Sequence, residues 1–152
     1  MQTAFLKLTL AEEVKYGMEH TIVHFEIPAD DVEKMKKFYE ALFGWKIIRV
    51  TMPSEYWLIH TVPTDEKGML LKPGVNGGMF QRMPDQKEMK PINYITIESI
   101  DEYVAKVEKL GGKILVPKMQ VPTVGWIAVA LDPEGNQVGL LQPEMPTDLA
   151  EV

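Results

Sequence analysis

One pattern constrains this chain more than any other, because it is written twice. A β-type run at residues 22–27 (IVHFEI) leads into a helical stretch from Asp30 to Phe43, and three further β-type runs follow at 45–51, 56–62 and 77–82. A second β-type run at 92–97 (INYITI) leads into a helical stretch from Asp101 to Leu110, followed by runs at 113–116, 126–131 and 137–142. Spacing supports the duplication: His24 stands 20 residues before Gly44, and Ile92 stands 19 before Gly111. Two strand-helix-three-strand units of this size fill the chain between about residues 21 and 144, so the expectation is a single α+β domain assembled from two βαβββ modules, about 21–83 and 91–144. Residues 1–20 form an N-terminal extension, in which Thr9 to Glu12 reads as a capping box of a short helix, and residues 145–152 form a tail.

The helices follow from periodicity. Val32, Met35, Tyr39 and Leu42 recur at steps of three and four and share one helical face, with Asp30 or Asp31 as cap and Gly44 as terminator. Val104, Val107 and Leu110 do the same in the second module, which Gly111 and Gly112 end. Asn76-Gly77 and the run Asp132 to Asn136 (DPEGN) carry turn chemistry, since Gly and Asn accept positive φ and Pro sets a turn's first corner.

Composition excludes more than it proposes. The chain has no cysteine, which removes thiol nucleophiles, cysteine-ligated metal centres and disulfides together. With 16 Lys+Arg against 22 Asp+Glu and no basic stripe, it offers no surface for nucleic acid. No apolar run approaches the roughly 20 residues of a membrane span, and Met1 to Leu10 lacks a basic leader, so a cytoplasmic protein without membrane contact is expected. Gly74 to Gly78 lacks the GKS or GKT of a phosphate loop, and no G-x-S-x-G elbow occurs.

The runs HFEIPADDVEKMKKFYEALFGW (His24 to Trp45) and LGGKILVP…VGWIAVALDPEGNQVGLLQPE (Leu110 to Glu144), in this order and at repeat-consistent spacing, resemble the vicinal oxygen chelate superfamily, the glyoxalase and bleomycin-resistance group. The resemblance implies two βαβββ modules curling around a cleft, a small-molecule ligand, and a homodimer. It also implies, in the metal-dependent members, four ligand positions, one on each of four strands. His24 falls on the first. The others fall near Met79 to Gln81, at Ile92 and at Gly139, where no acid or histidine stands. A catalytic divalent ion generally needs about three protein ligands, so the residues support no complete metal site.

Strand alternation supplies the cleft residues. Val23, Phe25 and Ile27 are apolar and should meet the helix, leaving Ile22, His24 and Glu26 on the other face. His24 and Glu26 are therefore the candidate proton-transfer pair, with His24 as a hydrogen-bonded pocket histidine if no chemistry occurs. Tyr94 shares the face of Ile92 and is a candidate hydroxyl donor. Gln81, Met79 and Trp126 are candidate ligand contacts, with Trp57 and Phe80 making the pocket apolar. His60 is expected beside solvent. Three functions stay open: a metal-independent isomerase or lyase, or a ligand-binding protein, on this cleft; a metal-dependent lyase or dioxygenase with His24 as one ligand of a divalent transition metal; and a structural or regulatory dimer without ligand.

Overall fold

A computed structural model describes residues 19–51 and 54–144. The capping box at Thr9 to Glu12 and the tail from 145 lie outside the described residues. The elements are β1 (Ile22–Ala29), α1 (Val32–Phe43), β2 (Lys46–Val50), β3 (Tyr56–His60), β4 (Gly77–Gln81), β5 (Ile92–Thr96), α2 (Ile100–Lys109), β6 (Lys113–Val121), β7 (Gly125–Leu131) and β8 (Gln137–Pro143). They form one eight-stranded mixed sheet in the order β2-β3-β4-β1-β5-β8-β7-β6. Within each module the first strand runs parallel to the last, β1 to β4 and β5 to β8, and the modules join edge to edge where β1 lies antiparallel to β5.

Local chemistry accounts for the helix ends. Asp31 caps α1 by accepting from the Lys34 amide at 3.0 Å, and Ser99 caps α2 by accepting from the Glu102 amide. Gly44 ends α1 at φ 69°, a conformation that only glycine adopts without cost, and its amide donates to the Glu40 carbonyl. The turn sends Trp45 back onto Tyr39, with ring centroids 5.1 Å apart and planes 12° from parallel. Thus the FYEALFGW run is a helix end folded onto itself. Asp132 closes the DPEGN turn, its carboxylate accepting from the amides of Glu134 and Asn136 and from the Asn136 side chain.

Both helices cover one face of the sheet. Ile27, Ala29, Val32, Ile47, Trp57, Ile59 and Met79 form the buried cluster under α1, joined by Phe25, Met35 and Tyr39. Ile97, Ile100, Ala128 and Leu140 form its counterpart under α2, joined by Val104, Val107 and Trp126. Two helical positions depart from the sequence expectation. Leu42 is 57% exposed, and Leu110, which follows the last residue of α2, is 77% exposed, so neither joins the core beneath its helix. Val23 also departs. A β-bulge between Ile22 and His24 shifts the alternation, and Val23 packs with Ile92 and Tyr94 rather than under α1.

Asn76 ties β3 to β4. Its Oδ1 accepts from the Thr61 and Val62 amides at 2.8 and 3.0 Å, while its Nδ2 donates to the Val62 carbonyl. Asn76→Ala leaves two half-buried amides without this partner, and urea unfolding is expected to show a loss of about 2 kcal/mol. A loss below about 0.5 kcal/mol would mean that water replaces the side chain fully.

Candidate functional site

Strand register brings four polar side chains together on the face away from the helices. Glu26 and Gly78 are register partners across β1 and β4, and His24 and Tyr94 are partners across β1 and β5. Tyr56, from β3, completes the group. Its hydroxyl donates to Glu26 Oε2 at 2.8 Å, and the Tyr94 hydroxyl donates to Glu26 Oε1 at 2.6 Å. His24 Nε2 lies 2.9 Å from the Tyr56 hydroxyl. The cluster is therefore a chain, Tyr94–Glu26–Tyr56–His24, and it draws on both modules.

Two glycines make room for the tyrosines. A Cβ at Gly78 would overlap the Tyr56 ring and hydroxyl, and a Cβ at Gly139 would lie 2.6 Å from Tyr94 Cγ and 2.7 Å from its Cε1. Gly139 is the register partner of Tyr94, as Gly78 is of Glu26, so the two modules repeat the device. Each places a bare backbone position where a tyrosine ring must lie flat on the sheet.

Burial sets the protonation states. It pushes the His24 imidazole down to about 4, against the opposing effect of a hydrogen bond to the Asn76 backbone. Burial raises the Glu26 carboxyl, with the bonds from Tyr94 and Tyr56 opposing. Both tyrosines are raised, first by burial and then by the Glu26 charge, so they keep their protons at neutral pH. The neutral His24 ring has a single N–H, and both Tyr56 and the Asn76 backbone compete for it. One added proton, held on Glu26, lets Tyr56 turn its own proton toward His24 and frees that N–H for Asn76.

The sequence-named residues divide between the two faces. His24, Glu26 and Tyr94 come together as one group, although His24 and Glu26 meet through Tyr56 rather than directly. Met79 is fully buried under α1, opposite Ile27. Trp126 lies under α2 beside Ala128, with the Lys118 ammonium 4.5 Å from its ring centroid. Gln81 donates to the Asp30 carbonyl at 2.6 Å and closes the end of β1. These three stand off the shared site because alternation along β4 and β7 puts them on the helix side. His60 is half-buried, and burial and neighbouring Lys46 lower its pKa. Tyr56 was not singled out by sequence reasoning. The signal available was its alternation with the apolar Trp57 and Ile59, which marks it as facing away from α1.

A family of proteins described as bleomycin resistance protein-like N-terminal matches residues 21–61, the span from β1 through β3. A Didymella fabae protein described as glyoxylase-like domain-containing is 30% identical over 115 residues, which are 73% of this chain and 84% of that protein. The chain belongs to the vicinal oxygen chelate superfamily. CFP32 of Mycobacterium tuberculosis, whose name places it among glyoxylases, is 27% identical over 119 residues, and the chain spans 43% of its length. Among solved structures, a hypothetical protein of Bacillus halodurans C-125 matches with TM-score 0.59 at 12% identity, covering 86% of this chain and 99% of its own. A methylmalonyl-CoA epimerase of Mycobacterium tuberculosis matches with TM-score 0.54 at 11% identity, covering 86% and 91%. At such identities the likeness is one of fold.

Metal-dependent members of the vicinal oxygen chelate superfamily take ligands from four strands, and the residues here do not fit that ion. Both Glu26 oxygens accept from tyrosines, and the position at Gly139 is closed by the Tyr94 ring. Ile92 is buried and apolar. Among the described residues no group of three His, Cys, Asp or Glu side chains is arranged to hold a metal.

Proposed function

We propose that this protein binds a small organic molecule against the helix-free face of its sheet, without a divalent ion, using His24, Tyr56 and Glu26 as the polar contacts. The observation that carries this reading is the pair of tyrosine hydroxyls on Glu26, 2.6 and 2.8 Å away, on a face whose partly buried apolar side chains include Val23, Val116 and Ile127. Small-molecule sites are mostly apolar with a few convergent polar groups, which is the composition of this face. The structural likeness to a methylmalonyl-CoA epimerase supports a small ligand rather than a macromolecule.

Thermal shift across a panel of dicarbonyl, aromatic and antibiotic-like compounds tests the reading. A ligand at 100 times its dissociation constant adds about 2.7 kcal/mol of stability. The expected result is a stabilising compound whose effect falls at least tenfold in apparent affinity with Tyr56→Phe. Protein purified without chelator is expected to carry substoichiometric transition metal. A stoichiometric ion lost in His24→Ala would overturn the metal-free reading.

A second reading, metal-independent proton transfer, is favoured by one observation: burial keeps His24 neutral, and hence able to accept a proton, at physiological pH. It predicts turnover by the stabilising compound's carbonyl relatives that His24→Gln abolishes while binding survives.

A further inference from the structure

An asparagine followed by glycine is chemically labile, because the glycine amide nitrogen meets little steric hindrance in attacking the side-chain carbonyl carbon before it. Of the three asparagines, Asn76, Asn93 and Asn136, only Asn76 precedes a glycine. The fold needs both members of this pair. Asn76 Oδ1 accepts from the Thr61 and Val62 amides and, at 3.1 Å, from the Thr61 hydroxyl, while Nδ2 donates to the Val62 carbonyl at 3.2 Å. Gly77 is buried in β4, the register partner of Phe25 on β1 and of Ile59 on β3, and a Cβ there would stand 2.4 Å from the Phe25 carbonyl oxygen. The lability is therefore retained by structural need.

The same contacts restrain the reaction. Ring closure must bring Gly77 N onto Asn76 Cγ, which turns the carboxamide away from Thr61 and Val62 and twists the chain where it enters β4. We propose that Asn76–Gly77 is a deamidation site of this protein, shielded while β3 and β4 stay paired and reactive when they part. In the step, Gly77 N bonds to Asn76 Cγ and gives up its proton, and the Cγ–Nδ2 bond breaks with release of ammonia. Water then opens the succinimide at either carbonyl, giving aspartate or isoaspartate.

The two products differ in effect. Aspartate keeps an acceptor for both β3 amides but sets a carboxylate oxygen against the Val62 carbonyl where Nδ2 stood. Isoaspartate routes the main chain through the former side chain, which adds one carbon ahead of β4, and leaves the former main-chain carbonyl as a free carboxylate. The Asn76 main chain is what His24 bonds, so the new charge falls at the His24 end of the Tyr94–Glu26–Tyr56–His24 chain and favours the imidazolium. The added carbon also displaces Gly78 from beneath the Tyr56 ring.

Ageing of the full-length chain at mildly alkaline pH, read by peptide mapping with mass spectrometry, tests this. In urea-unfolded protein Asn76 is expected to convert ahead of Asn93 and Asn136. In native buffer it is expected to convert at least about tenfold more slowly, since only opened molecules react. Thr61→Ala, which removes the hydroxyl contact to Asn76 Oδ1, should raise the native rate severalfold and leave the unfolded rate unchanged. The isoaspartate form, isolated by ion exchange, should unfold at lower urea and show His24 titrating at higher pH by NMR. Another asparagine converting first in the unfolded chain overturns the assignment. Equal rates in native and unfolded protein, or a native rate indifferent to Thr61→Ala, overturn the shielding. An isoaspartate form with unchanged stability and His24 titration overturns the link to the buried chain.

Discussion

Gly139→Ala is expected to destabilise the protein by about 2–3 kcal/mol in urea unfolding. The new Cβ would press on the Tyr94 ring, which is 4% exposed and closed in by Ile92, Val129 and Leu141. Overpacking of a well-filled site typically costs 1–3 kcal/mol, and here moving the ring also strains the 2.6 Å bond to Glu26. A double-mutant cycle with Tyr94→Leu isolates the cause. The combined loss should be smaller than the sum of the single losses by at least about 1 kcal/mol, since contacting residues couple. Strict additivity would show that the ring is not the obstacle. Gly139→Glu, which restores an acid where metal-dependent relatives are implied to have one, is expected to destabilise at least as much and to recruit no ion.

The pH dependence of stability separates the two ionisable members of the chain. Below its ordinary value of 6.5 the His24 ring takes up a proton in the unfolded protein but resists it in the folded one down to about 4. The unfolded state therefore binds more protons in that window. Stability is full above 6.5 and falls as pH drops toward 4, by at most about 3 kcal/mol and closer to 2 for a partly solvated ring. Glu26 acts in the opposite sense. Its folded value is raised, so its contribution is full at and below the ordinary carboxylate range and is lost as pH rises through the raised value. Chemical denaturation from pH 4 to 8 should show His24→Gln losing the acid slope and Glu26→Gln losing the opposing one. An unchanged acid slope in His24→Gln would place the titrating group elsewhere.

Much of this architecture is legible in the amino-acid order, because the two signals that specify it are local. Alternation and helical periodicity mark eight strands and two helices, and Gly44 and the DPEGN turn fix their ends. What escapes is set by partners distant in sequence. β6 runs on to Val121 through Pro117, which alone argues against a strand. Pro117 is tolerated because β6 is an edge strand and Pro117 falls within the register shift between Val116 and Met119. The site shows the same division. His24, Glu26 and Tyr94 follow from alternation on β1 and β5, while Met79, Gln81 and Trp126 required the register of β4 and β7 against their neighbours, which alternation within one strand does not supply. Tyr56 escapes for a further reason. Its role depends on Gly78, on another strand, having no side chain.

The joint between β1 and β5 gives the molecule a built-in reporter of its own assembly. The Tyr94–Glu26 hydrogen bond spans 68 residues of chain and forms only once both halves have docked. At 2.6 Å it is a short O–H···O contact whose formation the Tyr94 hydroxyl resonance reports. Non-local contacts of this kind close late, after their loop entropy has been overcome by local structure. That single resonance is thus expected to appear in refolding as the last sign of the native state, and to vanish first when the seam between the halves opens.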